Sequence, residues 1–234
     1  DKIYVNGESV EAAERGYNRK AASLLRYAVV STGIYGGKKL LEDNRKSENV
    51  YSQEEDAILR AAEKAGVYNS ELERRYPIIE HKPSSRNNSF ETTLTAFSGG
   101  NIAVIRGDYI GVLGCCRYYS EGGRVKSMSP DKLNDLSITA SQIIKKAYRV
   151  IAIATRNTDY NNLTRIYACQ SDMTFEGFIC IREPLLAGAA INVEKCRAAG
   201  IKVIMTTSDV SDNNRYIAAA LGIVRKDDEI VTGG

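Results

Sequence analysis

Apolar residues in the first third of the chain recur with helical spacing. The run AASLLRYAVVSTGI over residues 21–34 has apolar positions three and four apart, which predicts an amphipathic helix. A second predicted helix, DAILRAAEKAG, follows Ser52-Gln-Glu-Glu55 and ends at Gly66, and residues 70–75 predict a third, short one. Ser52 and Glu55 have the spacing of a capping box, in which two side chains and two backbone N–H groups bond reciprocally.

After Pro77 the pattern changes to short alternating runs that are typical of strands. IIEHKP, SFETTLTAF and NIAVI are such runs, and the last two are separated by the hairpin signal Ser98-Gly-Gly-Asn101. We therefore expect an antiparallel sheet in the middle of the chain. Residues 108–119 and the segment after Ser129-Pro130 return to helical spacing, and RVIAIAT and MTFEGFICI predict two further strands.

The last quarter of the chain has a different hydrophobic pattern, which predicts a strand, a helix, a second strand and a second helix in that order. A helix closed by Gly200 leads into the β-branched run Ile201–Met205, which ends in a Thr-Ser-Asp triplet. In open α/β sheets, the carboxyl end of a buried parallel strand and the next helix N-terminus converge on an anion. The pattern predicts that Thr207 and Asp209 bind phosphate, and the alternative is an ordinary strand end followed by a helix N-cap.

These patterns together predict an α/β fold in two parts. Residues 1–181 would form an antiparallel sheet flanked by helices, and residues 182–234 would form a second domain with a partial βαβα pattern. So few strands do not complete a doubly wound sheet by themselves. We therefore place the domain boundary near residue 182.

Composition excludes several classes of protein. A chain of 234 residues with 43% hydrophobic residues buries a substantial core, and a net charge of +3 provides no basic field for nucleic acid. Five cysteines without a CxxC pair and a single histidine support neither a disulfide framework nor a zinc site. We expect His81 to be an exposed strand residue, and Cys115 and Cys116 to fill a helix face. Because no apolar run approaches the roughly 18 residues that cross a bilayer, we expect a soluble, cytosolic segment.

At its Thr-Ser-Asp triplet the chain resembles the P-type cation-transporting ATPases, whose phosphorylation domain has a strand of this kind ending in Thr-Gly-Asp. The family's Asp-Pro-Pro-Arg hinge motif corresponds to Glu183-Pro184-Leu-Leu, which keeps an acid and one proline. The resemblance implies that Glu183 and Pro184 form a hinge. It also implies that residues 182–234 are part of a haloacid-dehalogenase-like phosphorylation domain.

The preceding part of the chain resembles the nucleotide-binding domain of the same pumps. Arg106-Gly107-Asp-Tyr-Ile, followed by a cysteine, stands for the family's Lys-Gly-Ala-Pro-Glu, and Arg149 and Glu55 match an arginine and an acid of two further motifs. The resemblance implies that Glu55, Arg106, Gly107 and Arg149 bind nucleotide. The residues alone leave alternatives open, because Glu55 fits a capping box, Arg149 fits a helix C-terminal cation and Arg106 fits a solvated strand end.

Two departures from the family pattern concern the nucleotide directly. Family members have Pro-Phe-Ser-Ser where this chain has Lys82-Pro83-Ser-Ser, so about 1 kcal/mol of aromatic stacking on adenine is missing. We therefore expect weak ATP binding. The phosphorylated Asp-Lys-Thr-Gly-Thr motif and the Asp-Gly-x-Asn-Asp magnesium loop have no counterpart here, and we expect a segment that starts after the first and stops before the second.

The resemblance implies the cytosolic ATP-binding segment of a P-type cation-transporting ATPase, at the cytoplasmic face of a membrane. The intact protein would use ATP and Mg²⁺, and the segment's partners would be ATP and the actuator, phosphorylation and transmembrane domains of the same polypeptide. No nucleic acid partner is expected. The alternative, from a different class, is a degenerate non-catalytic binding or regulatory module that keeps the fold but has lost nucleotide affinity.

Overall fold

The computed structural model describes the backbone of most of the chain. The described segments are residues 2–5, 8–11, 19–35, 38–40, 46–48, 52–85, 90–97, 99–164, 170–182, 185–207 and 212–224. They divide into two compact units, the first comprising Asp1–Ser137 with Val150–Ile181 and the second Ile138–Arg149 with Arg182–Gly234. The second unit comprises Ile138–Arg149 in addition to the residues from Arg182 onwards. A single domain boundary near residue 182 therefore stays a prediction.

Three predicted helices form near their predicted positions in the first unit. Helix α1 spans Arg19–Ser31, α2 spans Gln53–Lys64 and α3 spans Asn69–Arg75. The α1 helix ends where Gly33 adopts the left-handed conformation with φ 67°, which a glycine reaches without steric cost. The α2 helix begins with the predicted capping box between Ser52 and Glu55.

A mixed sheet of nine strands, counted over the described segments, forms the body of the first unit. Its main order is β10-β9-β12-β11-β8-β7-β6, and β12 also pairs with β1, which pairs with β2. Antiparallel pairing dominates, as predicted, but β9 and β12 run parallel. The strand bounds are β1 Lys2–Val5, β2 Glu8–Glu11, β6 Ile78–Lys82, β7 Phe90–Phe97, β8 Gly100–Gly107, β9 Cys116–Glu121, β10 Arg124–Ser127, β11 Arg149–Thr158 and β12 Met173–Ile181.

A small separate sheet lies between the first two helices in sequence. Its strands are β3 Ile34–Tyr35, β4 Lys38–Leu40 and β5 Lys46–Glu48, each antiparallel to the next. The predicted β7–β8 hairpin is confirmed, with Phe97 opposite Gly100 at the turn and Phe90 opposite Gly107 at the open end.

The core lies between helices and sheet, because the apolar stripes of α1 and α2 pack against the apolar face of the sheet. The main cluster joins helix residues such as Leu25 and Ile58 to Val104, Ile153 and Ile179 of three different strands. A smaller cluster comprises Leu94, Ala103 and Leu163. The helical and strand periods of the sequence therefore converge on the main cluster.

Residues 108–119 do not form one helix, so that prediction was wrong. Helix α4 covers only Tyr109–Gly114, Cys115 caps it, and Cys116 opens β9. The strand then turns through Gly122-Gly123, both with positive φ, into β10. Two glycines with positive φ are what a two-residue hairpin turn requires, and strand pairing overrides the helical spacing that precedes it.

His81 is fully buried, which corrects the expectation of an exposed strand residue. Its Nδ1 lies 2.8 Å from Thr93 Oγ1, and that hydroxyl is 3.4 Å from the Ser31 carbonyl oxygen at the end of α1. The ring occupies the space beside Gly33, where an added Cβ would lie 2.8 Å from it. The glycine that ends α1 therefore also makes room for the imidazole.

The second unit contains helices α6 (Ala189–Ala198) and α7 (Asp212–Ala220), and α5 (Pro130–Ile144) begins in the first unit and ends in the second. The Arg182 guanidinium lies 5.0 Å from the Tyr148 ring centroid. Arg197 Nη2 donates a hydrogen bond to the Ile223 carbonyl at 3.3 Å.

The predicted buried strand Ile201–Met205 is wrong for this structure. Residues 201–207 form neither a strand nor a helix, and Ile201 and Ile204 are 57% and 69% exposed. No strand among the described residues of the second unit pairs with this segment. A β-branched run forms a stable strand only when a neighbouring strand pairs with its backbone N–H and C=O groups.

Candidate functional site

The side chain of Arg106 forms the centre of a buried ionic cluster. It lies one residue before the end of β8, between Glu91 on β7 and Ile153 on β11 in the strand register. Directly opposite residues of neighbouring strands project on the same face, so the sheet brings Glu91 to the guanidinium. The Arg106 side chain is only 3% exposed.

Helix α2 supplies two more carboxylates from its first turn. Glu55 Oε2 accepts a hydrogen bond from the Ser52 backbone N–H at 2.9 Å, and Glu55 Oε1 lies 3.5 Å from Arg106 Nη2. Glu54 Oε1 lies 3.8 Å from Arg106 Nη1. The predicted capping box is thus confirmed, and Glu55 also pairs with Arg106 through its other carboxylate oxygen.

Among the described residues, three carboxylates are neighbours of the Arg106 guanidinium. Three carboxylates, those of Glu54, Glu55 and Glu91, surround one guanidinium, and Glu91 Oε2 accepts a direct hydrogen bond from Arg106 Nη2. Arg106 Nη1 is buried and has no hydrogen-bond partner within the described part of the chain. A buried N–H that lacks an acceptor is costly, so this atom is suited to meet an anionic or carbonyl oxygen of a ligand.

Glu54 and Glu91 are the two members of the cluster that sequence reasoning missed. The signal for Glu91 was present, because it is the one charged residue in the strand sequence FETTLTAF. A charged residue that is largely buried requires a partner of opposite charge. The register of that pairing, which puts Arg106 opposite Glu91, is not readable from either strand alone.

Gly107 ends β8 beside the cluster, and Asp108 follows it as the N-cap of α4. The Asp108 carboxylate accepts hydrogen bonds from the backbone N–H groups of Ile110 at 2.9 Å and Gly111 at 3.3 Å. This carboxylate therefore caps the N-terminus of α4. Pro83, at the expected stacking position, is half-buried just after β6.

The other predicted site residues lie elsewhere. Arg149 opens β11 with an exposed side chain and belongs to the second unit, and Thr207 is exposed in the same unit. Asp209, Glu183 and Pro184 lie outside the described residues. Of the predicted residues, the structure brings together Glu55, Arg106 and Gly107.

Another acid, the half-buried Glu176 of β12, lies in the same sheet. It accepts a hydrogen bond from Thr155 Oγ1 at 2.7 Å. Burial raises the pKa of the Glu176 carboxyl, and the hydrogen bonds from Thr155 and Ser120 oppose that change. Burial together with the Glu176 charge raises the pKa of Tyr27 to about 12. The Tyr27 hydroxyl is therefore protonated at neutral pH.

Neither a metal centre nor a membrane span is found in the described segments. They contain no group of three or more histidine, cysteine or acidic side chains arranged to hold a metal ion. None of their helices combines the length and the hydrophobicity that crossing a bilayer requires.

Comparison with known proteins gives a consistent result. Residues 34–188 match the family described as P-type ATPase, cytoplasmic domain N. The chain is 25% identical over 201 residues to the plasma membrane-type calcium-transporting ATPase 2 of Arabidopsis thaliana, covering 85% of this chain and 20% of that protein. It is 22% identical over 179 residues to calcium-transporting ATPase 1 of Lactococcus lactis subsp. lactis, covering 76% of this chain and 20% of that protein.

A third relative is similar along nearly the whole chain. The calcium-transporting ATPase of Bacillus subtilis is 23% identical over 246 residues, covering 99% of this chain and 28% of that protein. The chain thus spans about a fifth of the length of the curated relatives named first.

Proposed function

Because this chain belongs to the P-type cation-transporting ATPases as their cytoplasmic domain N, we propose that it binds ATP and positions it for phosphoryl transfer to an aspartate in another domain of the same polypeptide. The observation that carries the proposal is the buried Arg106 with an Nη1 that has no hydrogen-bond partner among the described residues. A guanidinium in a water-poor setting is a strong donor to phosphate oxygens. In such a pump this domain contributes orientation and electrostatics, and the nucleophile comes from elsewhere.

Arg106 and Gly107 lie at the open end of the β7–β8 hairpin, and Glu55 contacts Arg106 from α2. Arg106 donates to the ligand, Gly107 allows the backbone to approach it, and Glu55 holds Arg106 while it caps α2. Arg149 is proposed as a second cation for the nucleotide. Its side chain is exposed at the start of β11.

The remaining proposals concern the intact pump. Thr207 and Asp209 would contact the transferred phosphoryl group, and Glu183 with Pro184 would act as the hinge between domains. ATP would arrive with Mg²⁺, but no described cluster fits a metal ion, so no step is assigned to Mg²⁺ in this chain. The actuator, phosphorylation and transmembrane domains would be the partners, with this domain on the cytoplasmic side.

The second candidate function is a non-catalytic module that keeps the fold and does not bind nucleotide. Two observations favour it: Pro83 stands where the family has a stacking phenylalanine, and Arg106 already pairs with three carboxylates. Both features weaken ATP binding, so the proposed affinity is no tighter than the millimolar range, where about 4 kcal/mol of binding free energy suffices.

The test is an ATP titration of the 234-residue chain followed by amide NMR. We expect saturable millimolar binding, with the largest shifts at residues 106–108 and at the start of α2. Pro83→Phe should tighten binding by about 1 kcal/mol by restoring a stacking ring. Val125→Phe, which adds a ring at a 63% exposed position of β10, is the matched control and should change nothing. Micromolar affinity in the unaltered chain would contradict the eroded site, and the absence of any shift would favour the non-catalytic module.

A further inference from the structure

Glu91 contacts Arg106 more directly than the two glutamates of α2 do. Glu55 is also committed to the α2 cap, and Glu54 lies 3.8 Å from the guanidinium. Glu91, on the neighbouring strand, accepts a direct hydrogen bond from Arg106 Nη2. It is therefore the carboxylate that occupies the donor which a bidentate ligand would use together with Nη1.

The exposures of these side chains describe how a ligand reaches the guanidinium. Arg106 is 3% exposed, whereas Glu91 and Glu54 are 14% and 20% exposed. The carboxylates of Glu91 and Glu54 are therefore more accessible than the Arg106 guanidinium. A phosphate that binds Arg106 has to replace Glu91 to engage both Nη atoms.

We propose that Glu91 is a specificity-determining residue that competes with the phosphates of a nucleotide for Arg106. The inference rests on the proposed function and adds a residue and a mechanism to it. With Glu91 ionised and bonded, the site favours the uncharged part of a nucleotide over its phosphates. Removal of the charge leaves Arg106 with a neutral acceptor and restores its attraction for a polyanion.

The experiment compares ATP with adenosine, which carries no phosphate, on the full chain and two variants. Glu91→Gln keeps the size of the side chain and an acceptor for Arg106 but removes the charge. Glu121→Gln is the matched control, because it removes one negative charge from β9 at a residue that pairs with Lys126 and Lys132. Thermal unfolding of each variant verifies that the fold is retained. If Glu91→Gln fails to fold, Glu91→Thr, which suits a strand, serves the same test.

We expect Glu91→Gln to bind ATP about tenfold more tightly, which corresponds to about 1.4 kcal/mol, and to leave adenosine binding unchanged. Glu121→Gln should change neither affinity. An equal gain for ATP and adenosine, or no gain for ATP when the unaltered chain binds it, would overturn the competition by Glu91 alone. If neither the unaltered chain nor Glu91→Gln responds to ATP, the proposed nucleotide site is overturned with it.

Discussion

Two runs of similar composition differ in structure: one forms a buried strand, and the other is exposed and forms no strand. NIAVI at 101–105 and IKVIM at 201–205 both combine β-branched residues with a single polar one. In the first, Ile102 to Ile105 are between 0% and 4% exposed, whereas in the second Ile201 and Ile204 are more than half exposed.

The difference lies in the neighbours rather than in the runs. β8 has β7 on one edge and β11 on the other, and α1 and α2 cover one of its faces. Residues 201–207 have no paired strand among the described segments. The comparison teaches that a β-branched run forms a buried strand only where other elements pair with it and cover it.

The largest expected effect comes from the charge in the buried run. Arg106→Ala removes a cation that three carboxylates contact, and losing one partner of a buried ion pair costs about 3–5 kcal/mol of unfolding free energy. Lys202→Ala, in the exposed run, should stay within about 0.5 kcal/mol. Urea unfolding of both variants measures the contrast. Equal losses would show that the Arg106 cluster is not the electrostatic centre of the sheet.

The next effect tests the apolar side chains of the same two runs. Ile105→Ala removes a fully buried side chain and should cost about 2–5 kcal/mol, because a cavity is left behind. Ile204→Ala removes a 69% exposed one and should cost less than about 0.5 kcal/mol. A large loss at Ile204, measured by the same urea unfolding, would mean that the second run is covered in solution.

A smaller effect tests whether the N-terminal cap of α2 and the ion pair between Glu55 and Arg106 depend on each other. Ser52→Ala removes the hydroxyl that accepts from the Glu55 N–H at 3.2 Å and should cost about 1 kcal/mol. Ser129→Ala is the control, because Ser129 Oγ accepts from the Lys132 N–H at 3.1 Å at the start of α5 and should cost a similar amount. Only Ser52→Ala should shift the NMR signal of the Arg106 guanidinium. If both variants leave that signal unchanged, the cap and the ion pair are independent.

The smallest effect is a pH dependence within the sheet. Because burial raises the folded-state pKa of Glu176 above its unfolded value, stability falls as pH rises through that folded pKa and is unaffected below the unfolded one. Glu176→Gln should therefore raise Tm at pH 8 and leave it unchanged near pH 4. Glu194→Gln, on the exposed face of α6, should shift Tm at neither pH. A Glu176→Gln variant with a lower Tm at pH 8 would contradict the desolvation penalty.

Local signals predicted much of the fold because they act over short distances. The capping box at Ser52, the β7–β8 hairpin and the two long strands β11 and β12 follow from contacts a few residues apart, or from periodicity. The break at Gly114 and the Gly122-Gly123 turn carried a usable signal, which the helical spacing around them obscured.

The candidate site was predictable only in part, because it depends on pairing between distant strands. Arg106 and Glu55 were found by resemblance, 51 residues apart in sequence. The opposition of Glu91 and the burial of His81 depend on register and on the space left by Gly33. Such relations involve several elements at once, so no single run of residues reports them.

The strand β1 joins the two sequence extremes of the main sheet, since Lys2 lies opposite Cys180 and Ile3 opposite Ile179 on β12. During synthesis from the N-terminus, β1 therefore leaves the ribosome long before the strand that it pairs with exists. The sheet is complete only after residue 181 has emerged, and a closure over so long a separation is slow. Until then the nascent chain exposes an unpaired strand edge, which is the kind of surface that chaperones bind.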